Sequence, residues 1–300
     1  MYYLLPLITV LIWGGNTIVN KMAAEQIEPS AMSFFRWFIA ALIMTPFCLK
    51  SIIKARTTIK PYLGKLAILA FLGMVLNQSL GYYAGLTTSA ANMAMISSLI
   101  PLICIFISQP LLGKRIYPAN IIGAIISLIG LAFMLGKGDV LFIFHQAITL
   151  GDGLMMLSSI VYATYCVLLK RWQMPLTTWQ LIYIQGLFSV VMLCPLWLTS
   201  EHLSPTPNSL PLIAYAAIGA SIIGPWMWIK AIGIIGADTT AMFMNLMPII
   251  VLTMAIFFLG EQMYAFHIEG GLLVITGVML AQIKFHKKIP ISTANEKSPI

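Results

Sequence analysis

The side chains able to do chemistry in this chain are amides, hydroxyls and aromatic rings. Trp13, Asn16, Thr17 and Asn20 recur at i, i+3, i+4 and i+7, a spacing that gathers them on one face of a helix. Tyr162, Tyr165 and Cys166 repeat that face later in the chain, with rings in place of amides. Asn77, Gln78 and Tyr82 form a third polar group, and Gly224-Pro225-Trp226-Met227-Trp228 a fourth, rich in rings. Rings and amides together suit a ligand that has a flat or apolar part and hydrogen-bonding ends. Pro101 and Pro248 lack an amide hydrogen and crowd the carbonyls of Ser97 and Met244, so each is expected to loosen its helix by one hydrogen bond. A carbonyl freed in this way needs a partner or a ligand, and Ser98 and Asn245 stand one residue beyond it. The candidate ligand-binding residues are therefore Trp13, Asn16, Asn77, Gln78, Tyr82, Ser98, Tyr162, Tyr165, Trp228 and Asn245, with Pro101 and Pro248 as helix breaks. Each also has a plain reading as packing, since a polar contact between helices in a membrane is worth about 0.6–2 kcal/mol.

Arg36 lies about one and a half turns into a predicted helix, where it either snorkels to headgroups or clamps a carboxylate or phosphate. Its repeat counterpart, Gln185, is neutral. No Asp or Glu falls in the middle third of a predicted span, the usual place of a carboxylate that couples transport to protons or sodium. Asp152, Asp238 and Glu269 fall near helix ends, where capping is expected, so uncoupled movement and coupling through an edge carboxylate such as Asp152 both stay open. Lys230 is expected to anchor a helix end. The histidines at 145, 202, 267 and 286 sit in loops or near ends, and neither an H-E-x-x-H motif nor a serine–histidine arrangement is present. Cys48, Cys104, Cys166 and Cys194 have no metal-ligand spacing and read as small apolar packers. No catalytic residue, metal or cofactor is expected.

These residues are carried by elements that leave little room for a soluble domain. With 60% hydrophobic and 9% charged residues and a mean hydropathy of +0.93, the chain has too little polar surface to cover a water-soluble fold. Stretches of about 20 apolar residues cross a bilayer, and they fall near 2–20, 31–49, 66–86, 88–112, 118–136, 150–170, 177–199, 211–232, 236–259 and 267–285. The first lacks a charged leader and a cleavage site and reads as a retained helix. A net charge of +8 raises the question of a nucleic-acid partner, but the location of the charge answers it. Fourteen of the 17 basic residues, from Lys50 to Lys297, fall on one side of the predicted membrane; only Lys21 and Lys137 fall on the other, with Arg36 inside a span. The positive-inside rule then makes both termini cytoplasmic. The expected partners are the lipid bilayer and a small-molecule substrate, with no nucleic acid, and the oligomeric state is not written in the sequence.

The second half of the chain repeats the first. Adding 147 to positions between Ala84 and Gly130 carries Ala84 to Ala231, Leu99 to Leu246, Pro101 to Pro248, Gly113 to Gly260, Tyr117 to Tyr264, Gly123 to Gly270 and Gly130 to Gly277. Nearer the N-terminus the offset is 149, pairing Lys21 with Lys170 and Pro46 with Pro195. Five spans per unit is an odd number, so the second unit enters the membrane upside down. Its charges agree: Gly113-Lys114-Arg115 in the first unit becomes Gly260-Glu261-Gln262 in the second. The expected fold is an all-α integral membrane protein of ten transmembrane helices in two inverted five-helix repeats. Residues 1–137 form the first repeat and 148–286 the second, followed by a basic tail, 287–300.

Trp13-Gly14-Gly15-Asn16, Arg36 with Phe38-Ile39-Ala40-Ala41, Tyr83-Ala84-Gly85-Leu86 leading to Leu99-Ile100-Pro101, and Ala231 through Leu246-Met247-Pro248 to Gly260-Glu261 resemble the EamA family of the drug/metabolite transporter superfamily. The resemblance covers nearly all of residues 1–285. Where the family usually has an acidic residue after the glycine closing the fourth helix, this chain has Lys114. The resemblance implies ten helices around a central cavity, alternating access, a place in the bacterial inner membrane, and small metabolites as cargo, often amino acids leaving the cell. Import and multidrug efflux are the alternatives.

Overall fold

The computed structural model describes residues 2–139, 149–235, 240 and 243–282; Asp238, His145, His286 and the basic tail lie outside these. The described residues form α1 (Leu4–Ala23), α2 (Pro29–Lys54), α3 (Arg56–Gly85), α4 (Ala90–Leu112), α5 (Pro118–Leu135), α6 (Leu150–Trp172), α7 (Thr178–Leu198), α8 (Leu210–Ala231, continuing to Ile235), α9 (Phe243–Leu259) and α10 (Ala265–Gln282). Eight of these are long and apolar enough to cross a bilayer. α1 has the length, at 20 residues, but Asn16, Asn20 and Lys21 dilute its hydropathy; α9 is shorter. The protein is an all-α, multi-pass membrane protein.

Local sequence sets the helix ends. Thr149 and Thr177 open α6 and α7 with capping boxes, their hydroxyls accepting from the amides of Asp152 and Gln180. Pro29 and Pro118 start α2 and α5, where a missing amide hydrogen costs nothing. α4 and α9 both end on a left-handed glycine, Gly113 at φ 67° and Gly260 at φ 63°, a conformation that a Cβ resists. α3 begins ten residues before the expected 66, because Pro61 falls in the first turn of a 3₁₀ segment, Lys60–Tyr62, and does not interrupt the rod.

Two interruptions differ from expectation. Pro101 and Pro248 do not loosen continuous helices. The α4 rod stops at Ser97 and restarts at Ile100, with Pro101 in the first turn of the new segment. In α9 a 3₁₀ segment, Phe243–Leu246, leads into the α-helix at Met247, with Pro248 likewise in the first turn. Ser98 donates to the Met95 carbonyl at 2.6 Å, so it caps the break. α3 and α8 each carry a π-helical stretch, Phe71–Leu76 and Tyr215–Ile223, whose wider turn leaves backbone groups shifted from α-helical register.

α5 and α10 form the tightest pair. A Cβ on Gly130 would lie 2.8 Å from the Gly270 carbonyl, and one on Gly270 would lie 2.8 Å from that of Gly130; Gly123 and Gly277 meet the same way. α2 packs on α7 through Phe34, Trp37, Ala40, Met44, Ile182, Tyr183 and Leu193. Between these pairs α1 lies against α8 and α9, while α6 lies against α3 and α4.

Candidate functional site

The predicted binding residues divide among three places. The first is where the α4 restart meets the 3₁₀-to-α junction of α9. Ser98, Pro101, Asn245 and Pro248 line one cavity of about 50 Å³ together with Ser97, Met244 and the α10 residues Ile275 and Val278. A volume of this size holds a few waters, well short of the 300–1,000 Å³ of a small-molecule pocket.

The second place is the face of α1. Trp13 donates from Nε1 to the Ala220 carbonyl in the π-helical stretch of α8 at 3.2 Å, and its ring lies 5.3 Å from that of Trp228 at 46°. One turn on, Asn16 donates to Asn20 at 3.3 Å and accepts from Arg36 at 3.3 Å. Arg36 does not snorkel. It is 3% exposed and turned inward, with Nε donating to Ser221 at 2.7 Å and Nη1 to the Tyr82 hydroxyl at 3.1 Å. Its position follows from α8: Ser221 gives its own proton to the Ala216 carbonyl at 2.8 Å and so presents a lone pair to the guanidinium. Ser221 is the site residue that sequence reading missed. A lone serine in an apolar run carries no periodic signal.

The third place is the seam of α6 with α3 and α7. Tyr162 and Tyr165 stack at 5.5 Å and 23°, and Tyr165 presses on Gly73 in the π-helical stretch of α3. Asn77 donates to the Ser158 hydroxyl at 2.9 Å and to its carbonyl at 3.3 Å, while Ser158 donates back to the Asn77 carbonyl at 3.0 Å. The Asn77 amide is thus committed to joining α3 to α6. Gln78 makes no hydrogen bond among the described residues and is half-buried. Gln185, the repeat counterpart of Arg36, is 1% exposed with Oε1 unpartnered among them.

At the end of the bundle that carries Ala23, charges serve as clasps. Glu261 accepts from the Ala90 and Ala91 amides at 2.8 and 3.3 Å, capping the start of α4. Lys21 donates to the Gly85 carbonyl at 2.8 Å, at the end of α3. Asp152 is buried; it accepts from the Thr149 amide and hydroxyl as part of the α6 cap, and from Thr88 and Asn92, which ties that cap to the start of α4. Beside these a cavity of about 560 Å³ opens between α1, α8 and α9, with Lys21, Glu25, Asn208 and Glu261 in its wall. At the opposite end Lys230 sits 4.9 Å over the Trp226 ring and Lys65 lies over Tyr62 and Trp172. Among the described residues no group of three or more His, Cys, Asp or Glu could hold a metal.

Residues 1–136 and 149–282 match the EamA-like transporter family. The chain belongs to that family. As an EamA-like protein it is a membrane transporter of small molecules and not an enzyme. It is 25% identical over 292 residues to an uncharacterized transporter of Archaeoglobus fulgidus, covering 95% of this chain and 98% of that one. It is 26% identical over 298 residues to the uncharacterized transporter YyaM of Bacillus subtilis, covering 96% and 94%. A protein of Rickettsia prowazekii named S-adenosylmethionine uptake transporter is 22% identical over 98% of this chain and 95% of its own length. A solved crystal structure superposes with a TM-score of 0.63 at 15% identity, over 94% of this chain and 96% of that one, which shows a shared fold alone.

Proposed function

We propose that this EamA-like protein is a secondary transporter that exports amino acids or related small polar metabolites by alternating access. The observation that carries the reading is the meeting of the α4 restart with the 3₁₀-to-α junction of α9: Ser98 and Asn245, counterparts at an offset of 147, face one cavity with Pro101 and Pro248. A broken helix pair at a repeat interface is where transporters of this build hold cargo. The cavity is closed down to water size here, and parting α4 from α9 would enlarge it. Cargo contact is assigned to Trp13, Asn16, Tyr82, Ser98, Tyr165, Trp228 and Asn245, with Tyr162 behind Tyr165.

Two inverted five-helix units, residues 1–137 and 148–286, are part of the same reading. Their support is that the family matches two successive stretches and that contacts occur in pairs. α1 meets α8 and α9 as α6 meets α3 and α4. The π-helical stretches and the left-handed glycines also fall at matched positions. With both termini cytoplasmic, the cavity beside Lys21 and Glu261 becomes the external vestibule. The name of the Rickettsia relative favours import as the second reading.

The test is counterflow in proteoliposomes with labelled amino acids, a nucleoside and a cationic dye, on wild type and Asn245→Ala. Saturable exchange of one metabolite class, lost in the variant, supports the assignment. Movement of the dye alone, equal in both proteins, would turn it to drug efflux and leave Asn245 as helix packing.

A further inference from the structure

Arg36 is a buried cation with no carboxylate against it among the described residues. Its hydrogen-bond partners among the described residues are Ser221, Asn16 and Tyr82, all neutral and all used as acceptors, and its guanidinium lies 5.8 Å from the centre of the Trp37 ring. An arginine stays protonated, and a cation taken out of water without a counter-charge is held at a large desolvation cost. The hydrogen bonds around it consume acceptors and leave donors over. Ser221 has given its proton to Ala216, and Asn16 has given an amide proton to Asn20. Arg36 Nη2, the Tyr82 hydroxyl proton and Asn20 Nδ2 make no hydrogen bond among the described residues, although all three residues are at least nine-tenths buried. One full positive charge beside three unspent donors is a site short of an anion.

We infer that the Arg36–Tyr82–Asn20 cluster binds the carboxylate of the cargo. The inference rests on the reading of the chain as a carrier in which Asn16 and Tyr82 meet cargo, and it narrows the cargo to molecules bearing one carboxylate, amino acids included. A single guanidinium compensates one carboxylate, whereas a phosphate dianion brings a second negative charge with no cation for it in the cluster; the ammonium of an amino acid would find its acceptor outside the cluster. Nη2, the Tyr82 O–H and Asn20 Nδ2 are the donors available to the carboxylate oxygens, as charge-assisted hydrogen bonds. The Trp13–Trp228 pair begins one helical turn along α1 from Asn16, which places the rings where the remainder of such a molecule would lie.

The experiment is counterflow of five labelled probes, leucine, phenylalanine, lactate, uridine and choline, through wild type, Arg36→Gln, Arg36→Lys and Tyr82→Phe in proteoliposomes. Leucinamide and leucine are compared as unlabelled competitors. The expected result is saturable exchange of a carboxylate probe, competed by leucine at least tenfold better than by leucinamide. That preference should be lost in Arg36→Gln, partly kept in Arg36→Lys, and reduced roughly tenfold in Tyr82→Phe, which keeps the ring in the core. If Arg36→Gln fails to fold, the acid-over-amide preference of Tyr82→Phe decides: an unchanged preference overturns the inference. Exchange of uridine or choline alone, or equal competition by acid and amide in wild type, also overturns it while leaving the carrier reading intact. Absence of saturable exchange for every probe counts against both.

Discussion

At the scale of single residues, the same polar group serves as a contact for cargo or as a bolt between helices according to what its neighbours leave unspent. Asn77 is spent on Ser158 in both directions, so Asn77→Ala should lower the melting temperature in detergent by the equivalent of about 0.6–2 kcal/mol and leave the KM for cargo unchanged. A raised KM would make it a cargo residue instead. Asp152 is spent on four donors. Asp152→Asn, which can no longer accept from all of them, is expected to destabilise the protein while the pH profile of exchange stays as in wild type; a shifted profile would make Asp152 the coupling residue. The α1 stripe was legible because four polar residues at helical spacing cannot all face lipid. The direction of Arg36 was not. Snorkelling and inward bonding are equally open to a long side chain, and the choice lay with Ser221, a residue of another helix far along the chain.

At the scale of elements, the prolines and glycines were readable as positions but not as geometries. Pro101 was visible as a fault in α4; whether the helix would bend through it or stop and restart depended on Ser98, whose hydroxyl takes the Met95 carbonyl and completes the break. The π-helical stretches gave no sequence signal, because an extra residue per turn is accommodated by what packs against it, as Tyr165 does against Gly73. The glycine seam of α5 and α10 has a quantitative consequence. Gly130→Ala would bring a methyl against the Gly270 carbonyl and should cost about 1–3 kcal/mol. Gly64→Ala, with nothing within 4 Å, should be neutral or slightly stabilising. Equal melting temperatures for the two variants would refute the seam as a close-packed joint.

At the scale of the molecule, composition and hydropathy alone dictated a helical membrane bundle, and the internal repeat indicated which helices correspond. What they did not state is which corresponding helices touch, since pairing is decided by shape across the bundle. Orientation remains a matter for chemistry at the surface: in a cysteine-free background, Ser204→Cys should react with an impermeant maleimide in intact cells and Lys60→Cys only after permeabilisation. The reverse pattern would invert the sidedness argued from the charges. The seam between α5 and α10 also bears on how the protein is made. Its two halves are separated by about 130 residues of chain, which a ribosome working at roughly 5–20 residues per second takes on the order of ten seconds to deliver. For that interval α5 stands in the bilayer with its glycine groove open, until α10 is made and closes it. A chain truncated before α10 would therefore expose a ready-made helix-docking groove, a mark by which membrane quality control could tell an unfinished copy from a complete one.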